Sequence, residues 1–223
     1  MIREWVESLV DLVYPVEPFE GELPVLREPF CERCGEPFLG DITNPFNCSN
    51  CRARSWSLSR ARAAYRADGE VREVIHQFKY EEKFHHLPQL GKWIEDGYAR
   101  FFSSKEDRWD ALVPVPLYPV RQRDRGFNQA EELANWLGKK KNVPVWKALE
   151  RIRMTQIQAK LRRSERLKNQ RGAFALKRGF DVEGMKLLMI DDVFTTGATV
   201  DACAKVLCGA GAAQVAALTV ARG

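Results

Sequence analysis

Apolar residues recur at helical spacing at Ile2, Trp5, Val6, Leu9, Val10 and Val13, so the chain is expected to open with a short amphipathic helix ended by Pro15. Prolines and clustered cysteines then run to about residue 50 with little periodicity, the texture of a small metal-organised module rather than of a helix or a sheet. From about Ser57 the pattern changes. A strand is expected at residues 63–65, helices at 71–78 and 87–102, a buried strand at 111–115 and a helix at 129–137. A second buried strand at 187–190, a helix at 199–208 and a third strand at 215–220 complete the series. Strands alternating with helices argue for an α/β fold, a parallel sheet covered by helices on both faces. The expected division is an N-terminal helix and cysteine module over residues 1–56 and the α/β domain over 57–223. No internal repeat or low-complexity tract interrupts it.

Composition adds limits to this picture. With 223 residues and 45% hydrophobic content, the chain can bury one full domain core with room for a small appendage. Apolar runs such as residues 187–190 are far too short to span a bilayer, so no membrane span is expected. Arg3, Glu4, Glu7 and Asp11 stand where a signal peptide needs an uninterrupted apolar core, and a cytoplasmic location is expected. Cysteines of a reducing compartment are then thiols or metal ligands rather than disulfides. The net charge of +5 is unevenly spread: residues 151–178 hold ten Lys or Arg against the single acid Glu165, so a polyanion suits that segment as a partner.

The most informative stretch is LLMIDDVFTTGAT, residues 187–199. An apolar strand ends in Asp191 and Asp192 and turns through Thr195, Thr196, Gly197, Ala198 and Thr199 into a helix. That places its polar groups at the carboxyl edge of the sheet, where open α/β folds bind ligands. Gly197 lets the backbone approach a ligand closely, and the amides opening the helix present the positive end of its dipole. With the threonine hydroxyls they form a cradle for a phosphate dianion. Adjacent carboxylates repel phosphate but accept hydrogen bonds from vicinal hydroxyls. A ribose phosphate offers both groups. A plain threonine-rich helix cap needs only one capping side chain, whereas this loop supplies several. A nucleoside triphosphatase would need GxxxxGK followed by Ser or Thr, and the nearest match, residues 35–40, continues into Asp41 among the cysteines.

This stretch resembles the signature of type I phosphoribosyltransferases, and three further segments narrow the resemblance to the ComF family of competence-associated proteins. They are FKYEEKF (residues 78–84), VPVPLYPVRQRDRGFNQAEELA (113–134) and TQIQAKLRRSERLKNQRGAF (155–174), in that family's order. The resemblance implies a phosphoribosyltransferase-like sheet, phosphoribosyl pyrophosphate as ligand with Mg2+, and a role in DNA uptake and natural competence. A helicase of the competence system is an implied partner.

Departure of pyrophosphate from C1 of ribose passes through an oxocarbenium-like transition state, which needs cations and magnesium around the leaving oxygens. Arg121, Arg123 and Arg125 follow the 111–115 strand in an expected loop ending at Gly126, as the family's pyrophosphate loop would; a solvated basic turn is the competing reading. Residues 155–171 have the composition of a mobile lid. By resemblance they correspond to the flexible loop of phosphoribosyltransferases, with Thr155, Gln158, Leu161, Arg166 and Asn169 matching the family pattern. An exposed helix with a solvated basic face has the same composition. A third reading has these cations, with Arg121 to Arg125, gripping single-stranded DNA. Residues 151–171 contain no aromatic side chain on which bases stack, so such binding would be electrostatic and salt-dependent.

Cys31 and Cys34 form one CxxC pair and Cys48 and Cys51 another, thirteen residues apart, with Gly35 at the tight turn of a knuckle. This is the spacing of a closed structural Zn2+ site. Many ComF members carry a further CxxC just after the N-terminal helix, where this chain reads Tyr14, Pro15, Val16, Glu17, so a second zinc site is not expected. Cys203 and Cys208 are expected to pack in the core. No role is assigned to Lys79, His76, His85 or His86. Two functions stand side by side: a magnesium-dependent phosphoribosyltransferase whose acceptor and catalytic residues are not identified, and a non-catalytic single-stranded DNA-binding competence factor that uses the fold as a ligand sensor.

Overall fold

The computed structural model of the protein describes residues 22–38, 40, 45–80, 84–104, 107–153 and 172–223. The expected N-terminal helix and the lid segment 155–171 lie outside the described residues. The strands are β1 (Ala61–Arg66), β2 (Ala111–Pro114), β3 (Leu149–Arg151), β4 (Phe174–Leu176), β5 (Lys186–Phe194) and β6 (Gln214–Arg222). The helices are α1 (Ser49–Arg52), α2 (Gly69–Tyr80), α3 (Leu87–Phe101), α4 (Pro119–Arg125), α5 (Gln129–Lys141) and α6 (Ala198–Gly209). Four strands form a parallel sheet in the order β1-β6-β5-β2, and β3 pairs antiparallel with β4.

Because successive strand side chains point to opposite faces, β5 feeds two cores. Leu188 and Ile190 pack with Phe78 of α2, Ile94 of α3 and Leu133 and Leu137 of α5. Leu187 and Met189 pack on the other face with Val200, Cys203 and Leu207 of α6. Burial on both faces explains why β2, β5 and β6 read as near-continuous apolar runs, as strands of parallel sheets do. The cysteine module covers the α6 face: Cys31, Cys34 and Cys51 are buried in that same core beside Leu58. Cys203 is fully buried there, as expected.

Two local outcomes differ from the pattern reading. Arg121, Arg123 and Arg125 lie on a helix, α4, rather than in a loop. Pro119 presets the first helical φ, and Gly126, at φ 75°, closes the segment in the left-handed region, so this short run has both a start and a stop signal. The strand carrying the acid pair runs on to Phe194, so Asp191 and Asp192 are members of the strand rather than its end. Asp191 and Val193 stay in register with Thr219 and Ala221 of β6, whereas the Asp192 amide turns to the Asp191 carboxylate. Among the described residues no helix is long and apolar enough to cross a membrane.

Candidate functional site

β5 is central, with β6 on one side and β2 on the other, so the chain leaves its carboxyl end beside a crevice of the kind that binds ligands in α/β sheets. There the strand becomes the loop that opens α6. Gly197 sits at φ 71° and ψ 7°, the left-handed conformation at the helix N-cap, and α6 has no side-chain cap hydrogen bond. The start of α6 presents the positive end of its dipole to the crevice. The Thr196 hydroxyl accepts a 3.3 Å bond from the Ala198 amide. Asp191, Thr195, Gly197, Ala198 and Thr199 line a small cavity of about 40 Å³. A cavity of about 800 Å³ lies alongside, between α6 and the exit of the cysteine module, with Asp201 and Lys205 on its wall; the acid pair is not part of its lining.

The two acids are in different environments. Asp192 is 7% exposed and forms an ion pair of 2.8 Å with Lys79, at the end of α2. The sequence offered no task for Lys79, although FKYEEKF marked its neighbourhood; the structure makes it the partner of Asp192. Asp191 lies toward the other face, close enough to Arg151 and Cys203 for their charges to interact. Its Oδ1 accepts the Asp192 amide at 2.9 Å. Burial, and then repulsion from Asp192, push the Asp191 carboxyl up to about 7 despite the opposing pull of Lys79, the Asp192 amide and Arg151. Arg151 is 8% exposed on β3. Burial, and then the neighbouring charge of Arg121, lower its pKa from the ordinary arginine value.

The arginines of α4 do not act as one group. Arg121 is close enough to Arg151 for their charges to interact, Arg125 lies 5.0 Å from the centre of the Tyr80 ring, and Arg123 is exposed. Cys31, Cys34, Cys48 and Cys51 do converge: their sulfurs all lie within 4.8 Å of one another, and Cys34 and Cys48 are 3.8 Å apart. A tetrahedron of sulfurs about 2.3 Å from zinc has edges of about 3.8 Å, so the cluster fits such an ion. Burial opposes ionisation of Cys31, but amides of Cys34, Cys48 and Arg33 overcome it and lower the thiol to about 7. Burial raises Cys34 to about 11 and raises Cys51 as well, and repulsion from the neighbouring thiolates adds to both. The four thiols can therefore hold a metal such as zinc, and no other cluster of three or more His, Cys, Asp or Glu ligands occurs among the described residues.

The cysteine module also touches the loop, through residues that pattern reading passed over. Trp56 stacks on Phe194 at 6.4 Å and 17°. Arg54 lies 3.2 Å from the Trp56 ring centre, donates to the Thr196 carbonyl at 3.3 Å and pairs with Asp201 at 3.4 Å.

No family model matches the chain. It is 31% identical over 200 residues to competence protein ComFC of Bacillus subtilis, covering 86% of this chain and 77% of that protein. It is 27% identical over 207 residues to competence protein F of Haemophilus influenzae, covering 87% and 85%. DNA utilization protein YhgH of Salmonella typhi is 30% identical over 196 residues, covering 85% of this chain and 82% of its own. Among solved structures, the glutamine phosphoribosylpyrophosphate amidotransferase from B. subtilis complexed with ADP and GMP aligns at 20% identity with a TM-score of 0.38. That match covers 59% of this chain and only 25% of the amidotransferase, too slight a likeness to carry a conclusion. The ComFC and YhgH relationships extend over most of each partner's length, and the chain belongs to the ComF family of competence and DNA-utilization proteins.

Proposed function

We propose that the chain binds phosphoribosyl pyrophosphate and acts on it as a phosphoribosyltransferase toward an acceptor still to be identified. The observation that carries this reading is the junction of β5 and α6, where an acid pair precedes a helix N-terminus lined with threonines. Asp191 and Asp192 would accept the ribose hydroxyls. Thr195, Thr196, Thr199 and the amides of Gly197 and Ala198 would take the 5-phosphate. Arg121, whose charge interacts with that of Arg151, would neutralise the pyrophosphate, with Arg123 and Arg125 further along α4. Mg2+ would come with the pyrophosphate oxygens. The four-cysteine module has the structural role, and zinc is the ion that its thiolates and spacing suit best.

Calorimetry with Mg2+ and phosphoribosyl pyrophosphate tests the site. The wild type should bind and Asp191→Ala should bind at least about ten-fold more weakly, the loss of more than 1.4 kcal/mol. Equal affinities would remove the assignment. A pyrophosphate-release screen over nucleobases and amines then separates turnover from binding.

A second reading, binding of single-stranded DNA in competence, is favoured by one surface. Tyr80 is 65% exposed and carries Arg125 over its ring. This supplies the stacking partner missing from residues 151–171. In that role a competence helicase would be the neighbouring protein. Binding should weaken steeply as salt rises.

A further inference from the structure

We propose that Arg54 and Trp56 are positioning residues of the β5–α6 loop, and that metal loading of the four cysteines thereby sets how tightly this loop holds a phosphate. The inference rests on the reading of that loop as a ribose-phosphate site.

The loop's turn is seated on two aromatic rings. A Cβ at Gly197 would lie 2.5 Å from Phe194 Cζ and 2.7 Å from Trp56 Cη2, so the backbone there rests directly on the stacked pair. Trp56 and Arg54 come from the chain just after α1, the helix that carries Cys51. Two residues separate that metal ligand from Arg54. Fixing the sulfur of Cys51 therefore fixes the origin of both side chains.

Electrostatics adds a second link. Asp201 stands in the first turn of α6. An anion there opposes a phosphate at the same helix end. Here its carboxylate is occupied: Oδ1 accepts the Ser57 amide at 2.9 Å and Oδ2 pairs with Arg54 at 3.4 Å. The module thus neutralises the one acid in the first turn of the helix on which the phosphate would sit.

A third link runs through the first knuckle. Arg222, 8% exposed, donates to the Cys34 carbonyl at 2.7 Å, bonds Glu36, and lies 5.0 Å from the centre of the Phe194 ring. Both CxxC pairs are thus tied to the loop, one through Arg222 and Phe194, the other through Arg54 and Trp56. If metal binding and phosphate binding both favour this packed arrangement, each must strengthen the other by the same factor.

The test uses zinc and the magnesium complex of phosphoribosyl pyrophosphate. Calorimetry compares zinc-loaded wild type, chelator-stripped wild type checked for fold by circular dichroism, and zinc-loaded Arg54→Gln. In parallel, zinc affinity is measured by competition with a chromophoric chelator, with and without the probe. The expected result is about ten-fold weaker probe binding after stripping, with a matching rise in zinc affinity when the probe is present. Arg54→Gln should keep its zinc, bind the probe more weakly and show less than half the coupling. A stripped, folded protein binding within about two-fold of the loaded one, or zinc affinity indifferent to the probe, would overturn the proposal. If stripping unfolds the chain, the zinc competition on wild type decides alone. No binding to loaded wild type would defeat the underlying site reading, and this inference with it.

Discussion

Replacing Lys79 by methionine keeps an apolar stem of similar length and removes only the ammonium that lies 2.8 Å from Asp192. The side chains are 21% and 10% exposed, so the pair sits between the surface and interior regimes. At an effective dielectric constant of about 20, charges this close attract by about 6 kcal/mol. Desolvation offsets roughly half of that or more, leaving about 2–3 kcal/mol. Lys79→Met should therefore lower the free energy of unfolding by about 2–3 kcal/mol, because Asp192 is left charged and enclosed. Asp192→Asn should cost less, since Lys79 can turn toward solvent. The double variant should be more stable than the sum of the single losses predicts. Urea unfolding at pH 8 with zinc present, analysed as a double-mutant cycle, reads the coupling directly. A coupling below about 0.5 kcal/mol would refute the reasoning, because that is the value of a pair on the open surface. Lys79→Arg should restore most of the stability.

Three further outcomes follow from the same geometry. Asp191 is raised to about 7, so the folded state binds a proton that the unfolded chain releases near pH 4, and ionising it costs stability as pH climbs toward 7. Asp191→Asn should gain on wild type by on the order of 2 kcal/mol between pH 5.5 and 8 in urea titrations, and a constant difference would refute the raised value. Conversely, a ligand whose hydroxyls donate to the Asp191 carboxylate should bind more tightly as pH rises through about 7, with proton release on binding. Gly197→Ala places a Cβ 2.5 Å from Phe194 at φ 71°, and should lose about 1–3 kcal/mol of stability along with probe affinity; unchanged calorimetry would remove the role given to the turn. Metal analysis should find one zinc per chain, and Cys51→Ser should reduce both zinc content and thermal stability.

Much of the architecture was legible in the one-dimensional pattern because a parallel sheet buries both faces of its strands. The strands expected near 63–65, 111–115, 187–190 and 215–220 all formed, and short apolar runs of this kind suit strands buried on both faces of such a sheet. The cysteine cluster was readable for a similar reason: CxxC spacing is local, and two such pairs converge on one point. What remained hidden depends on residues distant in the chain. Lys79 and Asp192 are far apart in sequence, and only the packing of α2 against the sheet turns an unremarkable lysine into the counterion of a buried acid. Arg54 and Trp56 look like the tail of the metal module until folding lays them under the turn at Gly197. Residue type and spacing thus determined the strands and the cysteine cluster. The tertiary structure alone decided which charges stand beside the 187–199 loop, because electrostatic partners are chosen by distance in space rather than by position along the chain.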